Sequence, residues 1–319
     1  MKDFVKPSLN HEFSRLATKV AFYYHEIGMS QQEICNLLVL SQARVSRLLS
    51  LAQSNGIVKT FVDPPEGIHI ELERKIEEAY GLLDVVIYDD KIKSKHKTSI
   101  AQEAAIYLEA TLTADDVVGI SSWSATLLET VEEMKARPHK VVKKVIQLIG
   151  GMGKKGAEIQ ASRLASRFAE VLSAEPVYLD APGVVSNSED FNKFKKEVSR
   201  VSNLWDSVTC AITGIGPLPQ SKLLQESGNS LDQGSLNELL EKGAVGEVCL
   251  RFYDSWGNHL QSKFEDSVIS ISEEKLKKVP RRLAIAVGEH KIKAIKGALQ
   301  GKWINVLITD LSTAEKLIS

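Results

Sequence analysis

The sequence predicts a small all-α helix-turn-helix unit followed by a Rossmann-like, mainly parallel α/β domain. Three observations carry that expectation. Residues 30 to 53, SQQEICNLLVLSQARVSRLLSLAQ, hold two short capped helices around a tight turn. Asp63, Pro64, Pro65, Glu66 and Gly67 then break the chain, because consecutive prolines continue neither a helix nor a ladder. From Leu82 onward, apolar strand-like runs alternate with amphipathic helices.

Leu16, Val20, Tyr23, Tyr24 and Ile27 form the apolar stripe of a first helix, closed by Gly28. Ser30 with Glu33 makes a capping box, so a second helix starts at Gln31 and turns Ile34, Leu37 and Leu38 inward. Val39 and Leu40 occupy the turn. Ser41 caps a third helix that buries Val45, Leu48 and Leu49 and ends at Gly56. Its opposite face carries Gln42, Arg44, Ser46 and Arg47. Arginine grips guanine bidentately, glutamine does the same for adenine, and a serine hydroxyl suits base or phosphate. A plain helical hairpin with a solvated face is the alternative, but caps, turn length and polar placement all agree on a DNA-reading helix.

Residues 1–60 hold seven Lys or Arg against four acids, so this end is +3 while the rest must be −4 to give the net −1. A unit this weakly basic grips phosphate backbones poorly, and useful affinity calls for two or more copies on one site. Ile57 to Val62 reads as a strand before the break at residue 63. HIELERKIEEAYG, 69–81, reads as a helix with Leu72, Ile76 and Ala79 as a narrow stripe. That stripe suits pairing with its own copy or packing on the chain's own larger domain. The expected division is 1–63 for the helical reader, 64–81 for a linker or oligomerisation helix, and 82–319 for the α/β domain. The expected strands are LLDVVIY, DVVGIS, KVIQLIG, PVYL, SVTCAIT, GEVCLRF, RRLAIAV and INVLIT.

In such sheets ligands sit outside the carboxyl ends of the strands. After DVVGI, the hydroxyls of Ser121, Ser122, Ser124 and Thr126 gather at a helix start, chemistry that holds a phosphate or the oxygens of a sugar. N-capping needs only one of them. Lys291 in GEHK opens a helix and offers a cation for a phosphate; a surface lysine is the alternative. Asp254 in FYDSWGN forms an Asx-turn whose carboxylate either accepts from sugar hydroxyls or serves the turn alone. Gly151, Gly153 and Gly156 formally satisfy GxGxxG, and Asp180 follows the next strand. That pattern is common by chance, and a glycine loop that lets backbone approach a small ligand is the milder reading.

Catalytic constellations are missing from the sequence. Its seven histidines are scattered, none in HExxH, and there is no nucleophile elbow. Cys35, Cys210 and Cys249 are an odd number without metal-binding spacing and read as reduced core thiols of a cytoplasmic protein. No run approaches about 20 apolar residues, and MKDFVKPSLN has no signal-peptide segment, so a soluble, unexported chain without a membrane partner is expected.

The order of these motifs resembles the SorC family of bacterial sugar-responsive transcriptional regulators. The resemblance runs from GMSQQEICNLLVLSQARVSRLLSLAQSNGIV through SSWSATL, LIGGMG, DAPGVV, GIGPL, KGAVGEVCLRFYDSWGN and AVGEHKIKAIKGAL to NVLITDLSTAEKLI. It implies an operator-binding reader and a phosphosugar-isomerase-like domain that binds a sugar, polyol or sugar phosphate, without cofactor or catalysis, in a homodimer or homotetramer. Carried over by residue, it implies that Gln31, Gln42, Arg44, Ser46 and Arg47 face double-stranded DNA. The same resemblance builds the effector pocket from the SSWSAT loop, Gly150, Gly151, Glu247, Asp254 and Lys291. Many members read SWGxT where this chain has SSWSAT, which leaves an unphosphorylated sugar or polyol open. Ile149 leaves no amine on that strand end for an imine with an aldehyde sugar. A sugar-phosphate isomerase-like enzyme with an appended DNA-binding domain is the alternative expectation, and a nicotinamide oxidoreductase a third.

Overall fold

The computed structural model describes residues 11–91, 99–136, 141–153, 158–185 and 188–319. The chain separates into two compact units with the boundary between Asp63 and Pro64.

The first unit holds α1 (His11–His25), α2 (Gln31–Leu38) and α3 (Gln42–Ser54). Ser30 caps α2 in a full capping box: its hydroxyl accepts from the Glu33 N–H, and the Glu33 carboxylate accepts from the Ser30 N–H at 2.8 Å. Those Ser30 donors hold the Glu33 carboxyl below its usual range. Ser41 caps α3 by accepting from the Arg44 N–H, and the two helices meet at 108°, within the range of helix-turn-helix pairs. The core is Ala17, Val20, Ala21, Ile34, Cys35, Val45, Leu48 and Ala52. Small residues, not the expected Tyr24 and Ile27, line the inner face of α1, and Leu37 is exposed. Alanines there let α1 approach α3 closely. Ile57–Val62 forms no strand: the N–H groups of Ile57 and Val58 fold back onto the Ala52 carbonyl, and Phe61 and Val62 remain exposed.

In the second unit, α4 (Ile70–Tyr80) is not free to pair with a copy through its stripe. Ile76 is fully buried, Glu73 and Glu77 accept from the N–H groups of Ile87 and Val85, and the Tyr80 hydroxyl donates to the Leu317 carbonyl. Ala79 is exposed. The helix therefore belongs to the α/β domain, the second of the two readings its sequence allows.

Strands β1 (Asp84–Tyr88), β2 (Val117–Ile120), β3 (Lys144–Gln147), β4 (Glu175–Val177) and β5 (Cys210–Thr213) are followed by β6 (Gly216–Pro217), β7 (Gly246–Val248), β8 (Arg251–Tyr253), β9 (Arg281–Ile285) and β10 (Val306–Asp310). Seven of them form one parallel sheet in the order β1-β10-β9-β5-β2-β3-β4. Alternate residues serve opposite faces. Val118, Ile120, Cys210, Ile212, Leu283 and Ile285 pack beneath α5 (Ile100–Thr111), α6 (Ala125–Glu133) and α7 (Glu158–Val171), while Ile146, Ala211, Ala284 and Leu307 join the core on the other face. That other core includes α12 (Ile292–Gln300) and α13 (Leu311–Ile318).

GEVCLRF departs from expectation. It is not a strand of the parallel sheet but an antiparallel hairpin, β7 and β8, in a separate three-stranded ladder with β6. Cys249 and Leu250 form its two-residue turn with φ of 55° and 62°, the left-handed pair that such a hairpin needs. Period-2 apolarity reads alike in both arrangements, and nothing but glycine would have marked the turn.

Candidate functional site

Two places gather exposed or cavity-facing polar side chains. On α3, Gln42, Arg44, Ser46 and Arg47 are all exposed, opposite the buried Val45, Leu48 and Ala52, and Gln31 is half-buried at the start of α2. The turn between the helices holds Val39 in the left-handed region, φ 53°, with the side chain 90% exposed. A β-branched residue there is strained, since Cβ crowds the following carbonyl oxygen.

The second place is a cavity of about 160 Å³, room for roughly five waters at liquid density. It lies at the carboxyl ends of β2 and β5. These adjacent strands mark where the winding reverses, since the chain runs outward from β2 through β3 to β4 and then returns to β5. Such a switch point leaves a crevice because the flanking connections depart to opposite sides. Ser121 and Ser124 enter from the β2–α6 loop, Ala125 and Thr126 from the first turn of α6, Gly214 from the loop after β5, Gly216 from β6, Glu247 from β7, Leu250 from the hairpin turn, and Lys291 from the start of α12.

The electrostatics centre on Glu247 and Lys291. Burial pushes the Glu247 carboxyl up to about 7, against the opposing hydrogen bond from the Leu250 N–H at 2.7 Å and the nearby Lys291 charge. Burial likewise lowers the Lys291 ammonium, against the attraction of Glu247. Gly216 pairs directly with Glu247 across the ladder, and a Cβ at Gly216 would meet the carboxylate at 2.0 Å. Only glycine leaves the carboxylate in place. The site can therefore offer one cation, one carboxyl poised near neutrality, and hydroxyls.

Not every residue singled out from the sequence lies in this cavity. The Ser122 hydroxyl donates to the Ile149 carbonyl at 2.8 Å, and the neighbouring Trp123 indole donates to the Gly150 carbonyl. Ser122 thus fastens two loops together. Gly150 and Gly151 do not line the cavity either: a Cβ on Gly150 would stand 2.3 Å from the Pro182 oxygen, and one on Gly151 would strike Gln147. At the first glycine of GxGxxG the Gln147 side chain lies against the backbone, while Gly156 lies outside the described residues. Asp254 is also elsewhere. Its carboxylate accepts from the N–H groups of Trp256 and Asn258 and from the Asn258 amide, which is the turn-building role. The Ser124 hydroxyl both lines the cavity and caps α6 by accepting from the Leu127 N–H. Gly214 and Gly216 are within reach of the sequence through the glycine loop TGIGP, and the cavity includes both; sequence reasoning misses Gln220 and Leu224, from a segment with no recognisable motif, and Leu250, which reads as part of a strand.

Comparison with known proteins agrees with this layout. Residues 66–319 match the family described as "Putative sugar-binding domain". The chain is 31% identical over 316 residues to the Deoxyribonucleoside regulator of Bacillus subtilis, covering 98% of this chain and 99% of that protein. It is 28% identical to the Sorbitol operon regulator of Klebsiella pneumoniae, covering 97% and 99%. The crystal structure of that full-length regulator, SorC, superposes with a TM-score of 0.71 over 96% of this chain and 98% of its own, at 27% identity. With a helix-turn-helix unit ahead of the matched domain and relatives aligned from end to end, the chain belongs to the SorC family of sugar-binding transcriptional regulators.

Proposed function

We propose that this chain controls genes of carbohydrate metabolism, with operator affinity set by a sugar, polyol or sugar phosphate bound in the switch-point cavity. The observation that carries this reading is the pairing of Lys291 and Glu247 with hydroxyl-bearing residues at the carboxyl ends of β2 and β5. Donors and acceptors in balance suit a polyhydroxylated ligand. Operator recognition falls to Gln42, Arg44, Ser46 and Arg47, with Gln31 at the neighbouring helix start, in a cytoplasmic homodimer or homotetramer whose copies share one operator.

The cavity serves binding and not turnover. Glu247, raised toward neutrality, and Lys291, lowered by burial, serve as hydrogen-bonding partners of a bound ligand, in keeping with relatives that are regulators. A neutral polyol meets Glu247 as an acceptor. A phosphate ester meets Lys291 as a charge-assisted donor and is favoured when Glu247 is protonated.

The test is a thermal-shift and calorimetric panel of D-sorbitol and 2-deoxy-D-ribose, each with and without its terminal phosphate, at pH 6 and pH 8. Binding that Lys291→Met weakens, together with a change in operator affinity, supports the reading. Binding that leaves operator affinity unchanged contradicts control by the ligand, and chemical conversion of a bound sugar contradicts the non-catalytic role.

A further inference from the structure

Gln220, in the segment between β6 and α9 (Lys222–Ser227), lines the cavity and is only 8% exposed. Its Oε1 accepts from the Leu231 N–H at 2.8 Å. That bond fixes the carboxamide's orientation, because exchanging its ends would set two donors against each other. Its backbone carbonyl accepts from the Gln225 side chain at 2.7 Å, so the residue is held from two directions. With both tethers satisfied, Nε2 is left buried and without a hydrogen-bond partner. Among the described residues only Ser262 and Arg282 also hold a buried side-chain polar atom in that condition, and neither lines the cavity. A donor removed from water and given no acceptor is a standing penalty that a ligand oxygen removes on arrival.

We propose that Gln220 is a specificity-determining residue of the effector site, its Nε2 donating to an oxygen of the bound ligand. The proposal rests on the reading of the cavity as the effector site. A carboxamide nitrogen donates and does not accept, so this position selects a hydroxyl, carbonyl or phosphoryl oxygen and rejects an amine. Glu247 complements it. As a carboxylate it accepts, so a ligand that satisfies both groups presents an acceptor toward Gln220 and a hydroxyl donor toward Glu247. Through Oε1 and Leu231, the same side chain also links ligand contact to the segment that leads into α10 (Gln233–Glu241).

Two substitutions in the full chain separate donation from tethering. Gln220→Glu keeps an acceptor for the Leu231 N–H and turns the donor into an acceptor, whereas Gln220→Met removes both at similar volume. Calorimetry uses D-sorbitol, 2-deoxy-D-ribose and their terminal phosphates, with Lys291→Met alongside. The expected result is that a probe weakened by Lys291→Met is also weakened about tenfold or more by both Gln220 variants, including uncharged probes where repulsion by the new carboxylate plays no part. A cavity-bound probe that binds Gln220→Glu as tightly as wild type overturns the assignment, even if Gln220→Met weakens it, since tethering alone would then explain the residue. In that outcome the cavity reading stands. A probe that all three variants bind like wild type sits elsewhere, which overturns both.

Discussion

The polar outer face of α3 and the switch-point cavity are both built from short polar motifs, yet their side chains were freed by different physics. On α3, helical periodicity alone sets Arg44 and Arg47 outward and Val45 and Leu48 inward. In the cavity, serines two residues apart part company because of residues far away in sequence: Ser122 donates to the Ile149 carbonyl, while Ser124 faces the cavity. Local pattern decides exposure on a surface helix. At strand ends, long-range partners decide which hydroxyl is left for a ligand.

The sharpest way to break this comparison is to unfold one region and ask whether the other notices. Leu48 is among eight buried residues that form the helical unit's whole described core. Leu48→Ala should destabilise that unit by about 3 kcal/mol and abolish operator binding, while calorimetry of the cavity ligand stays at wild type. Lost ligand binding would show the two regions to be one folding unit.

Next in size are the two polar effects. Arg44→Ala should weaken operator binding by about 1–3 kcal/mol and random-DNA binding much less, measured at fixed salt. Glu247 contributes through pH. Its folded-state value is raised from 4.5 to about 7, so its contribution to stability is fully present below about 4.5 and is lost as pH rises from there to about 7. Glu247→Gln should remove that slope and leave the ligand-free protein more stable at pH 8, by on the order of 2 kcal/mol, as read by chemical denaturation. An unchanged slope would mean the carboxyl is solvated.

The smallest effect belongs to the helix turn. Val39→Gly relieves the left-handed strain at a residue that packs against little, and should stabilise the helical unit by about 1 kcal/mol. A drop in stability would show that the valine side chain contributes packing that its exposure does not reveal.

Much of the helical unit was legible because its signals are local. Ser30, Glu33 and Ser41 act within three residues, so the caps of α2 and α3 fall where the sequence puts them. The stripe of α1 was less so: Ala17 and Ala21 carry little apolar signal, and their burial follows from close approach to α3. In the α/β domain the order of alternating elements was readable, but the antiparallel β7–β8 hairpin was not, since Cys249 and Leu250 give no glycine signature for a turn with positive φ. Lys291 was visible as a lysine at a helix start beside a strand end. Asp254 read correctly as an Asx-turn but not as a ligand residue, because a turn carboxylate already supplied with three donors has little left to give. Gln220 carried no local signal at all; its significance comes from Leu231, eleven residues onward.

Control by the effector requires that occupancy of the switch-point cavity set operator affinity. Operator binding measured across a titration of the active sugar or polyol, in wild type and Lys291→Met, tests it most directly. Linkage couples the two sites only through differential binding, so the ligand-free variant should bind operator like wild type. Its response should then require about tenfold more ligand or above if the effector is a phosphate ester, and severalfold more if it is neutral. A variant that responds at the wild-type ligand concentration would contradict the claim and move the controlling site out of this cavity.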